Sequence, residues 1–227
     1  VLASNRIAGH WQIYAYDVAA RELLPLTHGD ADQPRGDLGP TGGVVFSRVG
    51  RDGRPPSLWI RADAGSRARP LGEGFTVENV RWSPRGDMLL VEVAEPGRTP
   101  RSGSARHTVF AVPTDAPLQT WPPSEGTAMR TIGRGRDPAF SADGEWIVYS
   151  ARVGDGWRLR RMRVDGGARF AIGQGARDEL EPALSPDGTL VAYVAEEAGF
   201  HRLFVRRVDG TGDRLLVTAG VVARPVW

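Results

Sequence analysis

The chain has 227 residues, room for one large β domain or two small ones, and a core of that size needs no covalent staples. It contains no cysteine, which excludes a disulfide framework, a thiolate nucleophile and a thiolate metal site. The formal net charge is only +2, all 29 basic residues are arginine, and acids are interspersed among them throughout. Such mixed charge leaves no basic stripe, so nucleic acid is not an expected partner, and the dense "RLRRMR" from Arg158 to Arg163 reads as a solvated strand face. No run approaches the ~18 apolar residues of a membrane helix. The opening "VLASNRIAGH" lacks a charged start followed by an apolar stretch, so no secretory leader is expected there.

Taken in chain order, the strands repeat. "VLAS", "WQIYAYD" and "RELLPLT" come first; "GVVFSR", "LWIRAD" and "ARPLGE" follow. Next are "VRWSPRG", "MLLVEVA", "FAVPTD" and "LQTWPP", then "PAFSADG", "WIVYSAR", "RMRVD" and "ARFAIG", then "PALSPDG", "LVAYVAE", "VRRVD" and "DRLLVTA". The third strand of each set ends in Asp, at Asp17, Asp63, Asp115, Asp165 and Asp209, spaced by 46, 52, 50 and 44 residues. No segment keeps a 3.6-residue apolar period, and Gly and Pro punctuate every set. Four short strands per ~45 residues is the sequence pattern of a β-propeller blade. The expected fold is therefore all-β: a five-bladed β-propeller of four-stranded antiparallel blades in a single domain, 1–227. The blades are assigned to 221–227 plus 1–27, 28–75, 76–130, 131–175 and 176–220. In this reading "VVARPVW" supplies the strand missing from the first blade, and joining the two ends removes the exposed edges of an open array.

"SPDGTLVAY" from Ser185, "SADGEWIVY" from Ser141 and "SPRGDMLLV" from Ser83 mark the link from first to second strand. Pro presets φ, Asp bonds the backbone just beyond it, and Gly takes positive φ. Asp187, Asp143 and Asp87 are accordingly read as turn formers rather than catalytic acids.

"EPALSPDGTLVAY", "RDPAFSADGEWIVYSARVGDG" and "SNRIAGHWQIYAYD…ELLPLT" resemble the PD40, or TolB-like, propeller repeat, whose unit runs D-x-P-x-W-S-P-D-G, apolar strand, R-D-G, I-Y strand, D-G, L-T. The resemblance covers essentially the whole chain. It implies a propeller that binds partners across its face or channel, and TolB itself is a periplasmic component of the Tol–Pal system. The present chain has five units where TolB has six, and no counterpart of TolB's N-terminal domain. It is read as part of a larger envelope or secreted protein, periplasmic or extracellular.

Strand parity places the uniform SPDG and Asp-Gly turns on one face. The varied loops "NRIAGHW", "RVGRDGRPPS", "EPGRTPRSGSARH", "RVGDGW" and "EEAGFH" fall on the other, where binding is expected. His10, Trp11, Trp157, Phe200 and His201 are the loop-face candidates, aromatic anchors being frequent at interfaces. Trp11 and Trp157 have the competing reading of wedge residues at the start of their strands. Aligned on the following Pro, Asp32, Asp137 and Glu181 come to the channel mouth with Asp30 and Glu179 beside them, and Glu78 and Arg224 take comparable places. A ring of carboxylates suits Ca²⁺. The preferred reading is that each acid caps a turn or pairs with Arg35, Arg136 or Arg177, so no metal or other cofactor is assigned.

Nucleophile-elbow, zincin and P-loop motifs are absent from the sequence, and the four histidines have no metal-ligand spacing. The expectation is a non-enzymatic module that takes a protein or peptide through its loop-rich face, with no catalytic residues and no membrane insertion. Two alternatives stand beside it. One is a five-bladed glycoside hydrolase using Asp32, Asp137 and Glu181, which needs paired carboxylates at set separations. The other is a gating propeller attached to a peptidase.

Overall fold

In the computed structural model every residue is described except 1, 8, 30, 31, 51–53, 95–106, 121, 122, 124, 125, 174, 176, 198, 218–224 and 226. All elements among the described residues are strands. The chain forms two compact units, one of residues 1–105 with 110–130, the other of residues 106–109 with 131–227.

The first unit opens with β1 (Leu2–Ile7), β2 (His10–Asp17) and β3 (Glu22–Pro25), an antiparallel meander in that order. A four-stranded meander follows: β4 (Gly36–Leu38), β5 (Val44–Arg48), β6 (Ser57–Arg61) and β7 (Arg69–Glu73). Then come β8 (Thr76–Trp82) and β9 (Met88–Ala94), paired antiparallel, and β10 (His107–Pro113), which belongs here from Phe110 onward. β8 packs across β4, β5 and β6. Strand alternation sends Val45, Leu58, Ile60, Leu71, Val80, Trp82, Leu89, Val91 and Phe110 into one apolar core. The sequence reading made "LQTWPP" the closing strand of the third set. Among its described residues Gln119–Thr120 is a strand (β11), and it pairs parallel with β7, Gln119 opposite Gly72 and Thr120 opposite Glu73. Gln119 is buried, and its side-chain Oε1 accepts from the Thr127 hydroxyl and the Ala128 N–H (3.1 Å), which pins β11 to that edge.

The second unit holds two further meanders. The first is β12 (Arg130–Phe140, entering this unit at Thr131), β13 (Trp146–Val153), β14 (Gly156–Arg163) and β15 (Arg169–Ala171). The second is β16 (Glu179–Leu184), β17 (Leu190–Glu197), β18 (Phe200–Arg207) and β19 (Arg214–Val217). β16 packs on β13 and β14, and Val148, Leu159, Ile172, Val191, Tyr193 and Phe204 form the core between the two sheets. The strand expected at 221–227 lies outside the described residues except for Pro225 and Trp227. The Trp227 indole N–H donates to the Ala183 carbonyl at 2.9 Å.

The repeated turns are built from their own side chains. Ser185 Oγ donates to Asp187 (2.5 Å) and accepts the Leu190 N–H (2.9 Å); Ser141 does the same with Asp143 and Trp146. Ser83 closes its turn on Asp87 and Met88. Gly144 and Gly188 sit at φ near +70°, where a side chain would be strained.

Candidate functional site

On the varied-loop side of the first unit, the chain before β4 runs along β5. The Ser47 N–H donates to the Arg35 carbonyl (2.8 Å) and the Val49 N–H to the Asp32 carbonyl (2.9 Å). The end of β5, the start of β6 and the start of β8 meet there around a cavity of about 430 Å³. Pro34, Val49, Pro56 and Val77 give it apolar walls, and Arg35, Arg48 and Glu78 give it charge. Arg48 stacks its guanidinium over the Trp59 ring at 5.1 Å. Trp59 is held in turn by Ser57 Oγ (3.0 Å) and by stacking on Phe46. Among the described residues Arg35, Arg48 and Glu78 make no ion pair. The size lies within the range of small-ligand sites. Arg35 was expected to neutralise a nearby acid; Arg136 and Arg177 do find acids, and Arg35 has none among the described residues.

Of the channel-mouth candidates, Asp137 and Glu181 lie side by side in the second unit. Each precedes a proline, each has φ near +50°, and each marks a bulge in its strand pairing, between Arg136 and Ala139 and between Leu180 and Ala183. A non-glycine residue held there costs about 1–3 kcal/mol. The Asp137 carboxylate accepts from Arg136 Nε (3.0 Å) and from the Glu181 N–H (3.4 Å), so one bulge helps to hold the next.

Asp32 keeps different company from that pair. Its carboxylate accepts the Trp11 N–H (2.9 Å), just as Asp178 accepts the Trp157 N–H (2.8 Å), at the same separation along the chain. The bulge at Glu181 adds residues between acid and proline, so an alignment on proline hides this match. The next positions match too. Gln33 and Glu179 are both buried, and the third-strand N–H is capped in two ways. Thr27 Oγ1 accepts from Ile13 (2.9 Å), whereas Gly173 has no side chain and the Glu179 carboxylate accepts from Leu159 instead (3.1 Å).

Glu179 is the centre of a buried network that the sequence reading did not find. Arg206 Nη1 donates to Glu179 Oε1 (2.6 Å), and Arg206 Nη2 donates to the Tyr193 hydroxyl (2.8 Å). Tyr193 donates to Asp213 (2.5 Å), which also pairs with Arg177 (2.6 Å). Arg206 lies in the third strand "VRRVD", and its side chain is only 6% exposed. Burial opposes its charge, but the bonds and charge of Glu179 and Asp213 outweigh burial and hold the guanidinium more firmly protonated. Burial, reinforced by Asp213, pushes the Tyr193 hydroxyl well up. A signal existed in Asp213, Tyr193 and Arg206 falling in one meander, but nothing in their spacing joins them.

The loop-face aromatics divide. Trp157 is 8% exposed, packed between the guanidiniums of Arg136 and Arg152, while Trp11 is 42% and Phe200 63% exposed. His201 is exposed, and His10 Nδ1 stands 3.6 Å from Asp32. Arg224 lies outside the described residues. Among the described residues no group of three or more His, Cys, Asp or Glu is placed to hold a metal ion.

TolB from Acinetobacter baumannii superposes on 91% of this chain with a TM-score of 0.65 at 16% identity. The fold is that of the TolB-like β-propellers. This TolB-like chain spans 48% of that protein. It also matches puromycin hydrolase, solved with PGG, at a TM-score of 0.66 and 16% identity, over 96% of this chain and 37% of that one. In sequence it is 23% identical over 171 residues to the uncharacterized peptidase YuxL of Bacillus subtilis, covering 62% of this chain and only 25% of YuxL. No family model matches the TolB-like chain. The expectation of a non-enzymatic protein is corrected by these comparisons. The related proteins include peptidases, with prolyl endopeptidases among the similar structures, and an oligogalacturonate lyase in complex with manganese. A propeller fold leaves activity open, because chemistry resides in sites rather than in the scaffold.

Proposed function

We propose that this segment is the propeller of a larger peptidase, where it admits and orients peptide substrates through its varied-loop face. The observation that carries the reading is the alignment with YuxL over 171 residues, of which the present chain would make up about a quarter. The likeness to puromycin hydrolase, in which the matched part is again a little over a third of the protein, supports it. In this reading the peptide-cleaving groups belong to the remainder of the protein, and the propeller contributes selection. Five blades closed by residues 221–227 are part of the same proposal, supported by the five-fold recurrence of the strand-ending Asp. An envelope location is part of it as well, supported by the TolB likeness and testable by cell fractionation.

The test uses the intact protein that carries this segment, offered fluorogenic peptides and, separately, oligogalacturonate with and without manganese. Peptide hydrolysis blocked by a serine-directed reagent supports the proposal. Breakdown of oligogalacturonate alone, or turnover of neither class, overturns it.

A further inference from the structure

Five arginines of this chain stand in ion pairs with acids. Arg136 pairs with Asp137, Arg158 with Asp178, Arg163 with Asp165, Arg177 with Asp213 and Arg206 with Glu179. At the cavity beside β5 two arginines stand together without such a pair. Arg35 and Arg48 both line it, and neither has a carboxylate partner among the described residues. Arg48 is not free to wander, because it stacks on Trp59. The backbone at Arg35 is fixed by two bonds from Ser47, from its N–H (2.8 Å) and its hydroxyl (3.4 Å). A planar guanidinium held in place without an acid presents donors that match a carboxylate.

We infer that this cavity binds the free C-terminal carboxylate of a short peptide, with Arg35 and Arg48 as the recognising groups. The inference rests on the peptidase reading for its choice of peptide. Charge restricts the ligand. Two arginines and Glu78 leave the lining with a net charge of +1, which suits a monoanion better than a phosphate dianion. Pro34, Val49 and Val77 supply apolar wall for the terminal side chain, and about 430 Å³ holds one or two residues.

The experiment is calorimetric titration of this chain with the tripeptide Gly-Pro-Leu as free acid and as C-terminal amide at equal ionic strength. The free acid should bind about tenfold or more tightly than the amide, the scale of losing a charge-assisted pair. Arg35→Gln and Arg48→Gln should each bring the acid down toward the amide and leave the amide unchanged, with melting temperatures near the parent's. Glu78→Gln should tighten the acid. Equal binding of acid and amide, or binding of neither, overturns the inference, and the parent protein alone decides this without any variant. Inorganic phosphate that displaces the acid at matching affinity overturns the carboxylate assignment. Failure is separable from that of the peptidase reading. Acid selectivity in a protein that cleaves no peptide leaves this site standing, whereas peptide cleavage without acid selectivity removes only this site.

Discussion

Replacing Gly173 with threonine should displace Glu179 from its seat against β14. A β-carbon at 173 would overlap the Glu179 carboxylate, standing 2.6 Å from its Cδ and 2.9 Å from the Leu159 nitrogen. The Leu159 nitrogen is backbone inside a paired strand, so the carboxylate has to leave. The Leu159 N–H need not lose its partner, because a threonine hydroxyl caps Ile13 in the same geometry at Thr27. What is lost is the 2.6 Å pair between Glu179 and Arg206. Separating a buried pair costs about 3–5 kcal/mol. At ~2–4 °C per kcal/mol for a chain of this length, the melting temperature should fall by roughly 6–20 °C. Glu179→Gln alone should cost about 1–3 kcal/mol, since it weakens the bond to Arg206 but keeps an acceptor. The double variant recreates the Thr27–Gln33 arrangement, so its loss should be smaller than the sum of the two by about 2 kcal/mol or more. Thermal unfolding followed by near-ultraviolet circular dichroism reads all three. A Gly173→Thr protein melting within about 2 °C of the parent refutes the seating of the carboxylate, as does strict additivity in the double variant.

Asp37 and Asp213 should respond to pH with opposite sign. Burial is the largest influence on Asp37 and raises its pKa despite the Trp82 N–H (2.7 Å) and Arg81. The folded state then holds the proton more tightly than the unfolded state, so Asp37 subtracts stability at neutral pH and the cost disappears as pH falls through its folded value. Asp37→Asn should therefore raise the melting temperature at pH 7 and lose that advantage in acid; a lower melting temperature at pH 7 counts against it. For Asp213, burial alone would raise the pKa, but the bonds from Tyr193 and Arg206 and the charges of Arg206 and Arg177 hold it below 3.8. Its contribution is present above 3.8 and is lost as pH falls through the lower folded value, so the deficit of Asp213→Asn should be full at pH 7 and shrink below pH 3.8. A deficit that is unchanged under strongly acid conditions would contradict this. Trp157→Ala should cost about 3–5 kcal/mol and Trp11→Ala less than about 1 kcal/mol in urea unfolding. Equal losses would mean that both tryptophans are wedges of the same kind.

Much of the fold was legible because the repeat is written in local chemistry. Ser185, Asp187 and Gly188 close their turn with one another, within five residues, and need no distant partner. The nearly unbroken apolar runs in "WIVYSAR" and "LVAYVAE" likewise announce strands buried on both faces, as 147–151 and 191–195 are. The features that escaped depend on residues far apart. Whether Glu179 faces solvent or a buried arginine is decided by the missing side chain at Gly173 and by Arg206, 27 positions on. Asp32 was grouped with Asp137 and Glu181 through the proline that follows each, and bulges in β12 and β16 made that ruler slip. Trp11 and Trp157 share their backbone bond to an acid, yet only Trp157 is enclosed by arginines.

These misreadings shift attention from acids to arginines. The carboxylates that recur near the first strands are engaged by the backbone: Asp32 on Trp11, Asp178 on Trp157, Asp137 on Glu181 and Glu179 on Leu159. A residue used to complete the hydrogen bonding of a sheet is a poor choice for binding a ligand, because occupying it would leave a backbone N–H without a partner at a cost of about 1–3 kcal/mol. Arg35 and Arg48 carry no such duty. Among the described residues their side chains make no hydrogen bond to a strand backbone, and the cavity they line adjoins loops that vary from one repeat to the next. With Asp32, Asp137, Asp178 and Glu179 engaged by the backbone, the two arginines of the cavity outnumber its one acid, Glu78, and the ligand such a lining selects is an anion.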